Sequence, residues 1–240
     1  MKAIIPAAGT GSRLKPYTDN IPKSLVSVKG RPLIKYSLDN LSDCGIEEVI
    51  IIVGFQAEKY KSIIGERHRN CSITYLTNNE YDSTDVMYSV WLAKEYIFDG
   101  FILLLGDLLF HKEILSNLID TPYENVCSID YNDDLSPTVM KTLVNNDEII
   151  AIGRNLESAN SRSIGMYKYS ALGAKIYFQE IEKFIEIGSK NLKIEPPLIN
   201  FLKYRNMNTI ETGNLPWIEI DFPIDYEYAI ENIDRITGNK

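Results

Sequence analysis

The order of elements along this chain predicts an α/β domain: a parallel sheet with helices on both faces, continued by a mixed-sheet second half. Three observations carry that reading. Short, almost wholly apolar runs recur at Lys2–Pro6, Glu48–Val53 and Phe101–Leu105, as buried strands do. Stretches with helical spacing of apolar residues lie between them. Gly and Pro mark the junctions.

The elements follow in order. Lys2–Pro6 reads as a strand that feeds a small-residue loop, Ala7-Ala8-Gly9-Thr10-Gly11-Ser12. Pro32–Cys44 places Leu33, Ile34, Leu38 and Leu41 on one helical face, with Pro32 suited to the first turn and Gly45 to the stop. Strand Glu48–Val53, helix Ala57–Ile64, strand Ser72–Leu76 and helix Val86–Glu95 follow. Phe101–Leu105 is a third buried strand and runs into Gly106-Asp107; Ile114–Ile119 is helical. Beyond about residue 125 the texture changes. Asn125–Tyr131, Thr138–Val144, Glu148–Ile152 and Ile164–Ser170 read as strands, and Leu172–Glu186 as a helix. Trp217–Asp221 is a closing strand and Ile224–Ile233 a closing helix. There is no internal repeat, low-complexity stretch or Pro/Ser-rich linker, so residues 1–240 are expected to form one domain.

Composition narrows the function. A net charge of −8 argues against general nucleic-acid binding. Three widely spaced cysteines (Cys44, Cys71 and Cys127) fit a reducing compartment and offer neither a disulfide framework nor a zinc site. With no apolar run of membrane-spanning length and no signal-peptide pattern, a cytoplasmic location is expected. Only two histidines are present, and G-x-S-x-G, H-E-x-x-H and C-x-x-C are missing. Charge is uneven, however. Residues 1–35 carry seven basic side chains and one acid, Asp19, which reads as an anion site or as a solvated basic face.

Ligands on parallel sheets sit at the carboxyl ends of strands, where both the Gly-rich loop and Asp107 lie. In Gly9-Thr-Gly11-Ser-Arg13 the glycines allow the backbone N–H groups to approach a phosphate. Position 14 is Leu, so the third Gly of a dinucleotide fingerprint is missing, and no Walker lysine follows. By itself the loop is as compatible with an ordinary tight turn. Arg13 adds a planar fork for phosphate oxygens, and Pro22-Lys23 adds a second cation within the same 15 residues. A carboxylate such as Asp107, at the end of a buried strand, needs a partner. It reads as a Mg²⁺ ligand or as the N-cap of the next helix. Strand alternation places Trp217, Glu219 and Asp221 on one face and Ile218 and Ile220 on the other. Asp221 is therefore a second candidate for Mg²⁺, with a cap before Pro223 as the alternative and Asp225 able to take either part. Tyr81, Tyr88 and Trp91 lie close together and could form either an aromatic cage for a cationic group or ordinary packing.

The segment Met1-Lys-Ala-Ile-Ile-Pro-Ala-Ala-Gly-Thr-Gly-Ser-Arg-Leu-Lys-Pro16, then Pro22-Lys-Ser-Leu25 and Pro32-Leu-Ile34, resembles the nucleotidyltransferase signature A-A-G-x-G-x-R-L-x-P, P-K-x-L, P-L-I. The likeness continues through Gly106-Asp107 to Trp217–Tyr226. It implies a Rossmann-like, GT-A-like three-layer α/β fold with a mixed, mostly parallel central sheet. It implies a nucleotide-binding half at 1–125 and an acceptor-binding half at 126–240. It implies that Ala7, Ala8, Gly9 and Gly11 hold base and phosphates, with Asn78 and Ser89 near the nucleotide. Arg13 and Lys23 would be the catalytic cations, and Asp107 and Asp221 would hold Mg²⁺. Chain length resembles that of the small CTP-dependent cytidylyltransferases, those acting on phosphocholine among them. The expected reaction is transfer of CMP from CTP, or of the corresponding group from another pyrimidine nucleotide, to a phospho-alcohol or phosphonate, with release of pyrophosphate. Tyr88, Trp91 and Glu219 are candidate acceptor contacts. A sugar-1-phosphate uridylyl- or thymidylyltransferase is the alternative within the family, and a non-catalytic nucleotide sensor the alternative outside it. Two departures stand out: Asp85-Val86 where Asn-Asn is usual, and Pro6 where Leu is common.

Overall fold

A computed structural model describes residues 1–131 and 139–238. The first half runs β1 (Lys2–Ala7), β2 (Ser27–Val28), β3 (Arg31–Pro32), α1 (Leu33–Asp43), β4 (Glu48–Val53), α2 (Glu58–Ile64), β5 (Arg67–His68), β6 (Cys71–Thr77), α3 (Val86–Trp91), β7 (Phe101–Leu104), β8 (Leu108–Phe110) and α4 (Lys112–Asp120). The second half adds β9 (Val126–Asp130), β10 (Lys141–Asn145), β11 (Glu148–Ile152), β12 (Ser161–Tyr169), α5 (Ala171–Glu186), α6 (Glu195–Phe201), β13 (Asn208–Glu211), β14 (Trp217–Glu219) and α7 (Pro223–Thr237).

One sheet runs through the molecule in the order β10-β11-β13-β9-β12-β7-β1-β4-β6-β5. β7, β1, β4 and β6 are mutually parallel, as their unbroken apolar runs require, since both faces are covered. β12 then pairs antiparallel with both β7 and β9 and turns the sheet mixed. One face packs Ala3, Ile5, Ile51 and Leu104 against α1, α2 and α4. The other packs Ile4, Ile52, Phe101 and Leu103 against α3, α5 and α6. This is the expected GT-A-like three-layer fold.

Topology positions the site. From β1 the chain builds outward to β4 and β6, then crosses back to add β7 on the other side of β1. The carboxyl ends of β1 and β7 thus border the switch point where such sheets bind ligands. A separate two-stranded ribbon, β8 with β14, stands beside it. The Ile220 amide donates to the Asp107 carbonyl at 3.0 Å, so the ribbon clips two distant segments together.

Several elements differ from the sequence reading. The helix expected over Val86–Glu95 ends at Trp91, and a 3₁₀ turn covers Lys94–Tyr96. β14 stops pairing at Glu219, two residues short of Asp221. β8, α6 and β13 were not anticipated: β8 and β13 are too short to show a period, and α6 opens on a Pro-Pro pair. Of the expected strand Thr138–Val144, Thr138 lies outside the described residues and β10 begins at Lys141.

Candidate active site

The Gly-rich turn leaves β1 and closes in a single 3₁₀ turn, Ser12–Leu14, anchored by the fully buried Leu14. Gly11 has φ +65°, and a Cβ there would sit 2.8 Å from the Lys23 Cβ. Only glycine lets the turn lie this close to the segment carrying Lys23. That segment, Lys23–Leu25, is another 3₁₀ turn. The buried Tyr60 from α2 ties the two together. Its hydroxyl donates to the Ala7 carbonyl at 2.8 Å and shares a 2.6 Å hydrogen bond with Ser24.

Four predicted residues meet at the centre. The Lys23 ammonium donates to Asp107 Oδ2 at 2.5 Å and to Asp221 Oδ1 at 2.7 Å. Arg13 donates to the same Asp221 oxygen at 2.9 Å. Burial disfavours the Lys23 ammonium, but the charges and hydrogen bonds of Asp107 and Asp221 outweigh it, and its pKa is raised. Asp107 caps no helix; α4 is capped by His111, whose Nδ1 accepts from the Glu113 amide. Asp221 is not a cap either. Asp225 takes that part, accepting from the amides of Asp221 and Phe222 at 3.0 and 2.7 Å, which leaves the Asp221 carboxylate for the site.

Glu219 joins Asp107 and Asp221 through the β8–β14 pairing, which sets Glu219 opposite Leu108. One oxygen from each of the three lies within 4.8 Å of the others. Burial chiefly, with the charges of Asp107 and Asp221, pushes the Glu219 carboxyl up to about 8 against the pull of Lys23 and Arg154. Asp107 Oδ1 is buried and accepts no hydrogen bond among the described residues. An orphaned buried carboxylate oxygen beside two more carboxylates is a donor set that suits a hard divalent cation such as Mg²⁺.

The surrounding cleft is about 570 Å³, within the range of small-molecule sites. Ala7, Gly9, Gly11, Arg13, Lys23, Asp107, Glu219 and Asp221 all line it. A smaller pocket of about 130 Å³ adjoins it and contains Ala8, Asn78 and Ser89. The Asn78 amide is spent on structure, donating to Thr84 and Ser89 and accepting from the Glu80 amide. Asn78 therefore shapes that pocket and orients Ser89.

The structure does not bring Tyr88 and Trp91 to either lining. They stack on each other at 5.6 Å, but Lys190 covers Tyr88 at 4.9 Å and Lys94 covers Trp91 at 4.7 Å. Tyr88 also donates to Glu80, which Lys190 neutralises. Of the two readings, packing holds for Tyr88 and Trp91: their faces are covered by the protein's own cations. Conversely, the sequence reading missed Arg154, Lys193 and Glu195, which do line the cleft. Glu195 opens α6, so the Glu-Pro-Pro run was the available signal.

A Gly-rich turn, two cations and a carboxylate cluster at the switch point of this sheet are an arrangement that suits nucleotide phosphates and a divalent cation. The nucleotidyl transferase family model matches residues 2–126, and the chain belongs to that family. It is 36% identical over 126 residues to the choline-phosphate cytidylyltransferase of Streptococcus pneumoniae, a match covering 52% of this chain and 53% of that one. The chain thus spans about half the length of that relative. It is 28% identical over 260 residues to the CTP:phosphoglutamine cytidylyltransferase of Campylobacter jejuni, covering 96% of this chain and all of that one. The solved CTP:phosphocholine cytidylyltransferase from Streptococcus pneumoniae superposes with a TM-score of 0.82 at 26% identity, covering 97% of this chain and 98% of that one. Among the described residues, no helix is long and apolar enough to cross a membrane.

Proposed function

We propose that this chain transfers CMP from CTP to a small phosphorylated or phosphonate acceptor, releasing pyrophosphate, with Mg²⁺ as the cofactor. The observation that carries this reading is the convergence of Arg13, Lys23, Asp107 and Asp221 on one point of the cleft. The cytidylyltransferase relatives support CTP as the donor.

An acceptor oxygen, already anionic at neutral pH, attacks the α-phosphorus of CTP; the new P–O bond forms as the bond to the β-phosphate oxygen breaks. No protein nucleophile is needed, so the chain contributes positioning and charge. Gly9 and Gly11 let backbone N–H groups face the phosphates. Arg13 neutralises the departing pyrophosphate, and Lys23 holds the α-phosphate or the acceptor. Asp107 and Asp221, with Glu219 beside them, would hold the Mg²⁺. When bound, Mg²⁺ supplies charge neutralisation on the phosphate oxygens. The first 125 residues serve the nucleotide, and the remainder supplies the acceptor side together with Asp221.

The test is pyrophosphate release with Mg²⁺, crossing CTP, UTP, dTTP, ATP and GTP against phospho-alcohols, phosphonates and sugar 1-phosphates. Release with CTP and a phospho-alcohol or phosphonate is the expected result. Release only with UTP or dTTP and a sugar phosphate would replace it with the uridylyl- or thymidylyltransferase alternative. CTP binding without release under any acceptor would leave a nucleotide-sensing domain.

A further inference from the structure

Glu195 is the most exceptional charged group in the cleft outside the central cluster. Only 9% of it is exposed, yet it lines the cleft. Among the described residues, no cation comes within ion-pairing distance of its carboxylate and no other residue's side chain hydrogen-bonds to it. Its basic neighbours are shared with other acids: Lys193 pairs with Asp85 at 3.0 Å, and Arg154 acts on Glu219 as well as on Glu195. Burial raises the Glu195 carboxyl against the pull of its own backbone amide, Arg154 and Lys193, with Asp85 adding to the rise. A largely buried acid held only by its own backbone amide, with no ion-paired cation, is costly unless something supplies countercharge. In a cleft of this kind, the substrate can supply it.

Resting on the cytidylyl-transfer reading, we propose that the acceptor carries an N–H-bearing ammonium group, that of a primary amine, which Glu195 accepts by charge-assisted hydrogen bonds. Two observations separate this from a quaternary ammonium. Quaternary groups have no N–H and are held by aromatic faces. The faces of Tyr88 and Trp91 are already covered by Lys190 and Lys94. The tyrosines that do line the cleft are Tyr81 and Tyr167. Tyr167 is buried and shares a 2.7 Å hydrogen bond with Ser163, and the Tyr81 ring makes an edge contact with Phe55. A carboxylate on the cleft lining, by contrast, recognises N–H donors directly. A neutral sugar phosphate offers the acid hydroxyl donors but no countercharge.

Calorimetric titration of phosphoethanolamine, phosphocholine and glycerol 3-phosphate into the full chain with CTP and Ca²⁺ tests this without depending on turnover. Phosphoethanolamine is expected to bind more tightly than the other two. In Glu195→Gln its advantage over glycerol 3-phosphate should fall by about 10–100-fold, the worth of a hydrogen bond to a charged group. Glu195→Asp should restore part of it, and circular dichroism melts check that both variants fold. Preference for phosphocholine, or equal weakening of all three ligands in Glu195→Gln, would overturn the proposal. Selective, Glu195-dependent binding without pyrophosphate release in the presence of Mg²⁺ would uphold it and sink the catalytic reading instead. Binding of none of the three would overturn it, whatever the chain does with CTP.

Discussion

The two sides of the cleft are built on opposite electrostatic plans. On the side formed by β1, β7 and the turns after β1, every central charge has a partner: Lys23 bridges Asp107 and Asp221, and Arg13 shares Asp221. On the side formed by α6, Glu195 is a buried acid whose carboxyl is pushed up chiefly by burial. The first arrangement is closed without a ligand, whereas the second is short of positive charge. On the proposed reading, a nucleotide with its cation would break existing pairs, while an acceptor would add charge to a side that lacks it.

The largest expected effect comes from breaking the closed side. Lys23→Met should lower kcat by ~10²–10³, the range for losing a central electrostatic contact. Near-normal turnover in steady-state assays would remove Lys23 from the mechanism. The same variant sharpens the comparison through a second measurement. Lys23 neutralises two of the three carboxylates, so its removal should tighten Mn²⁺ binding to the nucleotide-free protein by about tenfold or more, read by electron paramagnetic resonance. Unchanged Mn²⁺ affinity would mean that the pairs to Asp107 and Asp221 do not compete with the cation.

Tyr60→Phe follows in size. It removes the hydroxyl that joins Ala7 to Ser24, leaving buried polar groups unsatisfied at a cost of roughly 1–3 kcal/mol. At about 2–4 °C per kcal/mol for a chain of this length, thermal melts should resolve the loss. KM for CTP should rise alongside it, because the Gly-rich turn loses its tie to the Lys23 segment. A drop in Tm with unchanged KM would make Tyr60 a core residue only. Asp225→Ala should cost ~1 kcal/mol through the lost cap of α7. Since Asp225 also fixes the backbone at Asp221, it should weaken Mn²⁺ binding too. A change in Tm alone would separate the cap from the site.

The same contrast explains how far the sequence could be read. The closed side stands at the ends of parallel strands whose unbroken apolar runs and terminal Gly, Lys and Asp residues are local signals. Arg13, Lys23 and Asp107 stood out there as candidates, but spacing left a tight turn, a solvated basic face or a helix cap open until the family resemblance assigned their roles. Asp221 and Glu219 were legible from strand alternation, although β14 ends before Asp221 because Asp225 draws the backbone into the cap of α7. The open side depends on contacts that no short window contains. Glu195 enters the cleft because a seven-residue helix packs against α5, and its apolar pattern is too short to show a period. Tyr88 and Trp91 misled for the matching reason. Proximity in sequence brought the rings together, but lysines 94 and 190, one of them about a hundred residues away, decided what covers them.

The smallest expected effect bears on the open side alone. The folded protein holds the Glu195 proton more tightly than the unfolded chain, whose value is near 4.5. Stability from this group is therefore complete below about pH 4.5 and is lost as the pH rises through the raised folded value. Glutamine cannot ionise, so Glu195→Gln should escape that loss. Relative to the parent, its Tm should climb between pH 4 and pH 8. At pH 4 the two should melt together. Asp85, Lys193 and Arg154 face the same group, so Asp85→Asn serves as the control: it removes a repelling charge and should shrink the difference between parent and Glu195→Gln. A pH-independent offset between parent and variant would mean that Glu195 is paid for by contacts within the fold, and that the acceptor side is as closed as the nucleotide side.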